Sequence, residues 1–438
     1  MDCRGHHIVK ASRWRRPRFS PRLVDAGLNR PLPLLCVTMM LDAILNFAAH
    51  GLANAGWLWI TIYLLVMTQL TILTVTLYLH RSQAHRGVDF HPALVHFFRF
   101  WSWLTTGMVT KEWVAVHRKH HAHCETEQDP HSPQVEGIGK VFFEGVELYR
   151  AAAANADDVE KYGRGTPDDW MERNVYAKHS MLGPTLMAVI SLALFGVLGM
   201  AIWAVQMLWI PIWAAGVVNG IGHWWGYRNF ETADKATNLT PWGVWVGGEE
   251  LHNNHHAFPS SAKFALRRFE VDIGWVVIRG LERVGLAKVL RVAPSLDERP
   301  NVSLPDAETL KALLTHRFEA MTEYYKMVIK PTVREESAAK GRRRFGAMPR
   351  RRLRRALANG GRWLDQNGKA RLAAAVENHP RLKQISEYRA RLAALMEQRR
   401  PESALAALQQ WCREAEASGN RKLIEFAARL KRYSVARA

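Results

Sequence analysis

The chain has 438 residues, with 60 Lys and Arg against 40 Asp and Glu and a formal net charge of +20, long enough for more than one domain. Its four cysteines, Cys3, Cys36, Cys124 and Cys412, are scattered with no CxxC pair, which argues against a disulfide framework or a thiolate metal site. The basic excess alone would suit nucleic acid, but no base-stacking or groove-reading motif accompanies it, so no nucleic-acid partner is expected.

In chain order, residues 1–30 hold eight Lys and Arg. So long a basic leader, followed by an apolar run without a small-residue cleavage site, does not read as a secretory signal. An apolar segment at 32–49 contains Asp42 and is the weakest of four predicted membrane spans. The uncharged link HGLANAG turns it into the next, 57–79, which is long enough to cross a bilayer core of about 30 Å. LHRSQAH closes that span with His80 and His85. A five-residue step is about 140° on an α-helix, so these imidazoles share a direction only across an irregular turn. Otherwise they flank a site, or one sits on a loop.

Stretch 94–116 is apolar and aromatic but broken by Arg99, Lys111 and Glu112, which suits a helix lying at the interface or a buried helix of a cytoplasmic cap. HRKHH then sets His117, His120 and His121 at i, i+3 and i+4, on one helical face. From Met181 to Tyr227 there is no Asp, Glu, Lys or Arg, room for two spans, 182–204 and 207–225, hinged near Gln206. ELHNNHHAFP, 250–259, repeats the i, i+3, i+4 pattern with His252, His255 and His256. Glu249 and Glu250 before it read either as acceptors for ligand N–H groups or as an ordinary helix N-terminal acid pair.

Beyond the membrane domain, assigned to 31–300, residues 301–340 read as a helical linker and 341–438 as a basic helical extension. GRRRFGAMPRRRLRR, 341–355, carries eight arginines. Anionic lipid headgroups are the nearest partner for such a run, and a solvated basic linker is the bland alternative. Charge is absent from the two outer turns and basic around the histidine elements, so both termini and all three elements fall on the cytoplasmic side. The expected fold is all-α: four transmembrane helices in two hairpins, a cytoplasmic helical cap holding the histidines, and the basic extension.

Neutral imidazole is the commonest transition-metal ligand, and two trios at helical spacing point to metal far more strongly than one. His80, His85, His117, His120, His121, His252, His255 and His256 are more than a single ion holds, which suggests two ions with room for exogenous ligands. Two redox metals beside a membrane suggest oxygen chemistry on a lipid.

At this point the sequence resembles the membrane-bound fatty acid desaturases, specifically the acyl-CoA delta-9 type. HRSQAHR is similar to that family's first histidine box, HRKHH to its second and HNNHHAFP to its third, and EWVAVHRKHHAHCETEQDPHSP and NGIGHWWGYRNF resemble the intervening runs. The resemblance covers roughly residues 30–290. It implies two iron ions, His223 as a ninth ligand, and removal of two hydrogens from an acyl chain with O2 to leave a cis double bond. Asn219, one turn before His223, is within reach of the site directly or through a water. The resemblance also supports a thioester-bound acyl substrate, with acyl-CoA and lipid-bound chains both open. Arg118 and Trp113 are the substrate-contact candidates, with Arg81 and Arg86 near enough to meet anionic groups. His91, His96, His123, His131, His179, His316 and His379 fall outside the ligand pattern and read as structural or exposed. No haem or iron–sulfur domain is visible, so electrons are expected from a separate electron-transfer protein and an NAD(P)H-dependent reductase. A membrane hydroxylase and a non-catalytic metal-binding protein are the rivals.

Overall fold

The computed structural model describes residues 32–339, 344–345, 348–398 and 400–436. The basic segment 1–30 and part of the arginine run, 341–343 and 346–347, lie outside the described residues. The architecture is helical, with short two-stranded pairings at its edges.

Helices α1 (Leu32–His50) and α2 (Trp57–Ala84) form the first hairpin, and α8 (Leu182–Phe195) and α9 (Leu198–His223) the second. Among the described residues α2 and α9 are long and apolar enough to cross a membrane, whereas α1 and α8 are shorter apolar helices. Large apolar side chains on all four stand exposed, including Leu41 and Ile44 of α1, Trp59 and Val66 of α2, Val189 of α8 and Leu208 of α9. Within α2 the hydroxyls of Thr61, Thr68, Thr71 and Thr74 donate to the carbonyls four residues back at 2.7–2.9 Å. Each of these hydroxyls is thereby satisfied within its own helix.

The second hairpin turns at Gly196 (φ +62°), not near Gln206 as the sequence suggested, so its two helices run 182–195 and 198–223. Its turn locks onto that of the first hairpin: Val197 N donates to Ala48 O at 2.8 Å and Leu52 N to Ala193 O at 2.9 Å. A Cβ on Gly196 would meet Ala48 O at 2.3 Å, and only glycine tolerates both that approach and the positive φ.

The stretch 94–116 resolves into two helices, α3 (Pro92–Thr106) and α4 (Thr110–His123), separated by Gly107 at φ +66°. Arg99, buried on α3, is neutralised by Asp169 at 2.6 and 2.7 Å and by Glu172 at 2.9 Å. Helices α5 (Ile138–Phe143), α6 (Gly145–Ala153) and α7 (Ala156–Tyr162) flank α4 and α9, and the short α10 (His252–Ala257) and α11 (Ile273–Arg283) complete the cap.

A second unit follows, built from α12 (Ala307–Thr315), α13 (Arg317–Tyr324), α14 (Lys330–Ala339), α15 (Arg350–Asn359), α16 (Gln366–Glu377), α17 (Pro380–Met396), α18 (Pro401–Ala417) and α19 (Arg421–Lys431). Leu313, Tyr324, Val328, Leu353, Leu392, Trp411 and Phe426 share one buried core, and Leu296–Glu298 pairs antiparallel with Tyr433–Val435. The segment expected to be a linker, 301–340, is therefore part of this core rather than a tether to it. The unit rests on the cap through Arg267 to Glu319 at 3.1 Å, Glu231 N to Thr322 Oγ1 at 2.9 Å and Arg362 to Ala233 O at 2.9 Å.

Candidate metal centre

The last ten residues of α2, Val75–Ala84, are wound as a π-helix, and the His85 amide donates to His80 O at 3.1 Å, an i to i+5 bond. The wider turn removes the 140° offset of an α-helix and sets the two rings 5.0 Å apart. A π turn inside an α-helix is costly and is found most often at functional sites. His117 and His121 of α4 face this pair, with His117 Nε2 2.9 Å from His85 Nε2. From α10, His255 Nε2 lies 3.0 Å from His80 Nε2 and 2.9 Å from His121 Nε2. The ligand atoms of these five histidines all lie within 4.8 Å of one another.

The remaining four gather beside them. His120, His223 and His256 present ligand atoms within 4.8 Å of one another and of Cys124 Sγ, and His252 Nε2 is 2.9 Å from His223 Nε2. All nine histidines of the sequence reading are thus brought together, as five and four, from α2, α4, α9 and α10.

Carboxylates on the outside orient the rings. Glu249 takes His80 Nδ1 at 2.6 Å and the Thr76 hydroxyl at 2.5 Å. Asp129 takes His120 Nδ1 at 2.9 Å and is itself held by the Glu125 amide at 2.7 Å, while Asp234 takes His256 Nδ1 at 2.9 Å. Each bond commits Nδ1 and leaves Nε2 pointing inward with its lone pair, the arrangement by which carboxylates fix metal-binding imidazoles. Of these carboxylates the sequence reading weighed only Glu249. Asp129 stood inside the quoted DPH run without a role, and Asp234 carries no local signal at all.

Electrostatics keep most of the rings neutral. Burial, reinforced by neighbouring imidazoles, holds His85, His117, His121, His252 and His255 well below the usual histidine range. Burial likewise lowers His256 to about 4 despite Asp234. Burial opposes charge on His120 too, but the Asp129 carboxylate outweighs it and raises that pKa. Neutral, buried nitrogens about 3 Å apart suit a transition metal, because two nitrogens about 2.0–2.1 Å from one ion sit at such a separation. The donor set fits metal.

The other candidates divide. Trp113 stacks on His117 at 5.0 Å between ring centroids and, with Asn219, lines a cavity of about 440 Å³ walled by Met207, Ile210 and Ala214. Asn219 also lines a smaller gap shared with His80 and His252. Arg118 is not free for substrate: its guanidinium donates to the carbonyls of Gln83, Ala84, Tyr162 and Arg164 at 2.7–2.9 Å. Arg81 is likewise buried, paired to Asp272 at 2.9 Å by both terminal nitrogens and bonded to Gly247 O and Ala262 O. Both arginines tie the first box to distant segments. Cys124, discounted in the sequence, lies 3.9 Å from His120 Nε2 and from His223 Nδ1, and His131 stacks on His120 at 4.5 Å. His123 bonds Tyr162. In HNNHH the asparagines hold loops: Asn253 accepts from the Asn229 and Phe230 amides, and Asn254 bonds Phe264 O and Glu270.

Comparison with known proteins agrees with this geometry. A sequence model described as "Fatty acid desaturase" matches residues 12–275. Delta-9 acyl-lipid desaturase 1 of Arabidopsis thaliana is 32% identical over 255 residues, 57% of this chain and 81% of the relative. Icosanoyl-CoA 5-desaturase of Limnanthes douglasii is 32% identical over 281 residues, 63% and 73% of the two chains. The sn-1 stearoyl-lipid 9-desaturase of Anabaena variabilis is 28% identical over 251 residues, 55% and 87% of the two. With its histidine clusters and apolar helices, this chain belongs to the fatty acid desaturase family, a family of oxidoreductases.

Proposed function

We propose that the protein removes two hydrogens from adjacent methylenes of a saturated acyl chain, at the delta-9 position and in cis, with His80, His85, His117, His121 and His255 holding one iron and His120, His223, His252 and His256 the other. The observation that carries this reading is a largely apolar cavity of about 440 Å³ whose lining brings Met207, Ile210 and Ala214 together with His117, Trp113 and Asn219. A largely apolar slot of that size suits an acyl chain. When bound, the irons supply the activation of O2 that an unactivated C–H bond demands and that no side chain can provide.

The chain's own residues do the placing. Trp113, stacked on His117, forms the wall against which a methylene would rest beside the imidazoles. Asn219, which lines both the slot and the gap beside His80 and His252, would support the metal other than the one held by His223, directly or through a water. Glu249, Asp129 and Asp234 keep Nδ1 protonated on His80, His120 and His256, so that each offers Nε2. Electrons come from a separate electron-transfer protein and its NAD(P)H-dependent reductase.

Four spans, with the histidines and both termini on the cytoplasmic side, are supported by the lipid-facing exposure of α1 and α8 and by the basic residues beyond each hairpin. A thioester-bound acyl-CoA is our first substrate. An acyl chain on a membrane lipid is the second reading, favoured because two of the relatives above are named for lipid-bound substrates.

Expression in a strain that lacks unsaturated fatty acids, followed by mass spectrometry of its lipids and acyl-CoA pool, tests the reading. A monounsaturated chain with the double bond at carbon nine is expected. A hydroxylated chain as the major product would replace desaturase by hydroxylase, and early label in phospholipid rather than acyl-CoA would select the second substrate.

A further inference from the structure

Where the C-terminal unit meets the end of α9 there is a cleft of about 930 Å³. One rim is Trp224 and Trp225, which follow His223 directly and are 54% and 69% exposed. The facing wall is α15, whose Arg351, Arg352 and Arg355 point into the cleft. Trp363 also lines the cleft, with the Arg228 guanidinium 5.2 Å and the Lys235 ammonium 5.9 Å from its ring. Arg228 is held in place by the carbonyls of Asp234 and Ala236 at 2.9 Å. Five cationic side chains thus line the cleft against one acid, Glu231.

These three of the five arginines of α15 have no ion pair among the described residues. Elsewhere in the same unit exposed arginines do have carboxylates, as Arg391 has Glu414 and Arg421 has Glu425, and the half-buried Arg429 has Glu298. Unpaired like charges repel, so a trio kept together around a cavity is arranged for an anion. Guanidinium groups match phosphate oxygens in bidentate fashion. The tryptophans decide which anion. Exposed indoles at the end of a membrane span sit at headgroup level, so the cleft opens where lipid phosphates lie, and a soluble partner would have to reach past that rim.

We propose that this cleft binds the phosphate of an anionic phospholipid headgroup, with the lipid's glycerol and first methylenes against Trp224 and Trp225, and that it ties the C-terminal unit to the membrane surface. The inference rests on the membrane placement proposed above and not on the reaction. Binding and product formation therefore fail independently.

The test uses the full-length protein purified in detergent and stripped of lipid, titrated with short-chain phosphatidylglycerol, with phosphatidylcholine of the same chains, and with inorganic phosphate, read by native mass spectrometry. Phosphatidylglycerol is expected to bind about tenfold or more tighter than phosphatidylcholine, and the preference should shrink with salt. The triple variant Arg351→Gln, Arg352→Gln, Arg355→Gln should lose the preference, whereas Arg391→Gln with Arg421→Gln should keep it. Trp224→Ser with Trp225→Ser should weaken phosphatidylglycerol and leave inorganic phosphate unchanged. Equal binding of the two lipids by the unmodified protein overturns the proposal without recourse to any variant. So does a triple variant that retains the preference, or inorganic phosphate binding as tightly as the lipid, which would make this a free-phosphate site. A triple variant that keeps its lipid preference but loses reduction by an acidic electron-transfer protein would assign the cleft to protein docking instead.

Discussion

Glu249 accepts from His80 through a 2.6 Å contact at Nδ1, and the hydroxyl of Thr76, one turn earlier on the same helix, bonds the same carboxylate oxygen at 2.5 Å. One buried acid therefore sets both the tautomer and the tilt of the first histidine on the π-helical turn. Glu249→Gln keeps the shape but removes the charge. It is expected to weaken metal retention about 10–100-fold, measured by metal analysis after competition with a chelator, with little change in the melting temperature of the metal-free protein. Unchanged retention would reduce Glu249 to a packing role.

His223 and Asn219 lie near the end of α9, where His223 Nε2 is 2.9 Å from His252 Nε2 and Asn219 lines the gap shared with His80 and His252. His223→Ala is expected to lower iron content and abolish turnover. Asn219→Ala should keep most of the iron and lose activity. Iron analysis beside oxygen-consumption assays separates the two, and a fully active His223→Ala protein would remove it from the ligand set.

Arg81 and Asp272 form a pair in which neither side chain reaches solvent. Removing one partner strands a buried charge, so Arg81→Met is expected to cost about 3–5 kcal/mol of stability, read by thermal unfolding, and to lower metal occupancy by releasing the first box. A variant that melts normally but binds substrate weakly would restore Arg81 as a substrate contact.

Truncation after Lys330 leaves Tyr324, Val328 and Ile329 of the C-terminal core without the residues from Leu353 to Tyr433 that cover them. That truncated chain is expected to aggregate, whereas one ending after Pro294 should remain folded and keep its metal, since every candidate ligand precedes residue 257. Gel filtration with metal analysis of both checks this. Loss of metal from a well-behaved shorter chain would show that the C-terminal unit completes the site.

Acidification should destabilise the metal-free protein. Burial depresses seven histidines in and beside the centre, His85, His117, His121, His131, His252, His255 and His256, with His131 at about 3 and His256 at about 4, and lowers His316 outside it as well. Only His120 of this group is raised. A depressed imidazole is neutral when folded while its unfolded counterpart takes a proton near pH 6.5, so the unfolded state binds more protons and stability falls as pH drops from there. The window runs from about 6.5 down to about 4 for His256, and His120 offsets one of the seven. Melting temperatures between neutral pH and pH 5 should fall steadily, and a flat profile would mean that the rings are not neutral in the fold.

The sequence by itself determined the ligand types and their local phase. An i, i+3, i+4 histidine trio shares a face on any α-helix, and a charge-free run the length of 57–79 has few places to go but a bilayer, because both properties depend on residues near one another in the chain. It also showed that His80 and His85 cannot share a direction on a regular α-helix, but left open whether they flank a site, and did not show that a π-helix turns them together. Tertiary structure alone decided the rest. The partition into five and four depends on α2, α4, α9 and α10 packing together, as in His80 meeting His255 across 175 residues, and no local period encodes such a pairing. Asp234 became an orienting carboxylate, and Arg81 and Arg118 became braces rather than substrate contacts, only because distant backbone closes around them. The hairpin turned at Gly196, not near Gln206, because Ala48 O leaves no room for a side chain there. Residues 301–340 read as a linker for the same reason: their apolar positions find a core only when helices from α15 to α19 fold back over them.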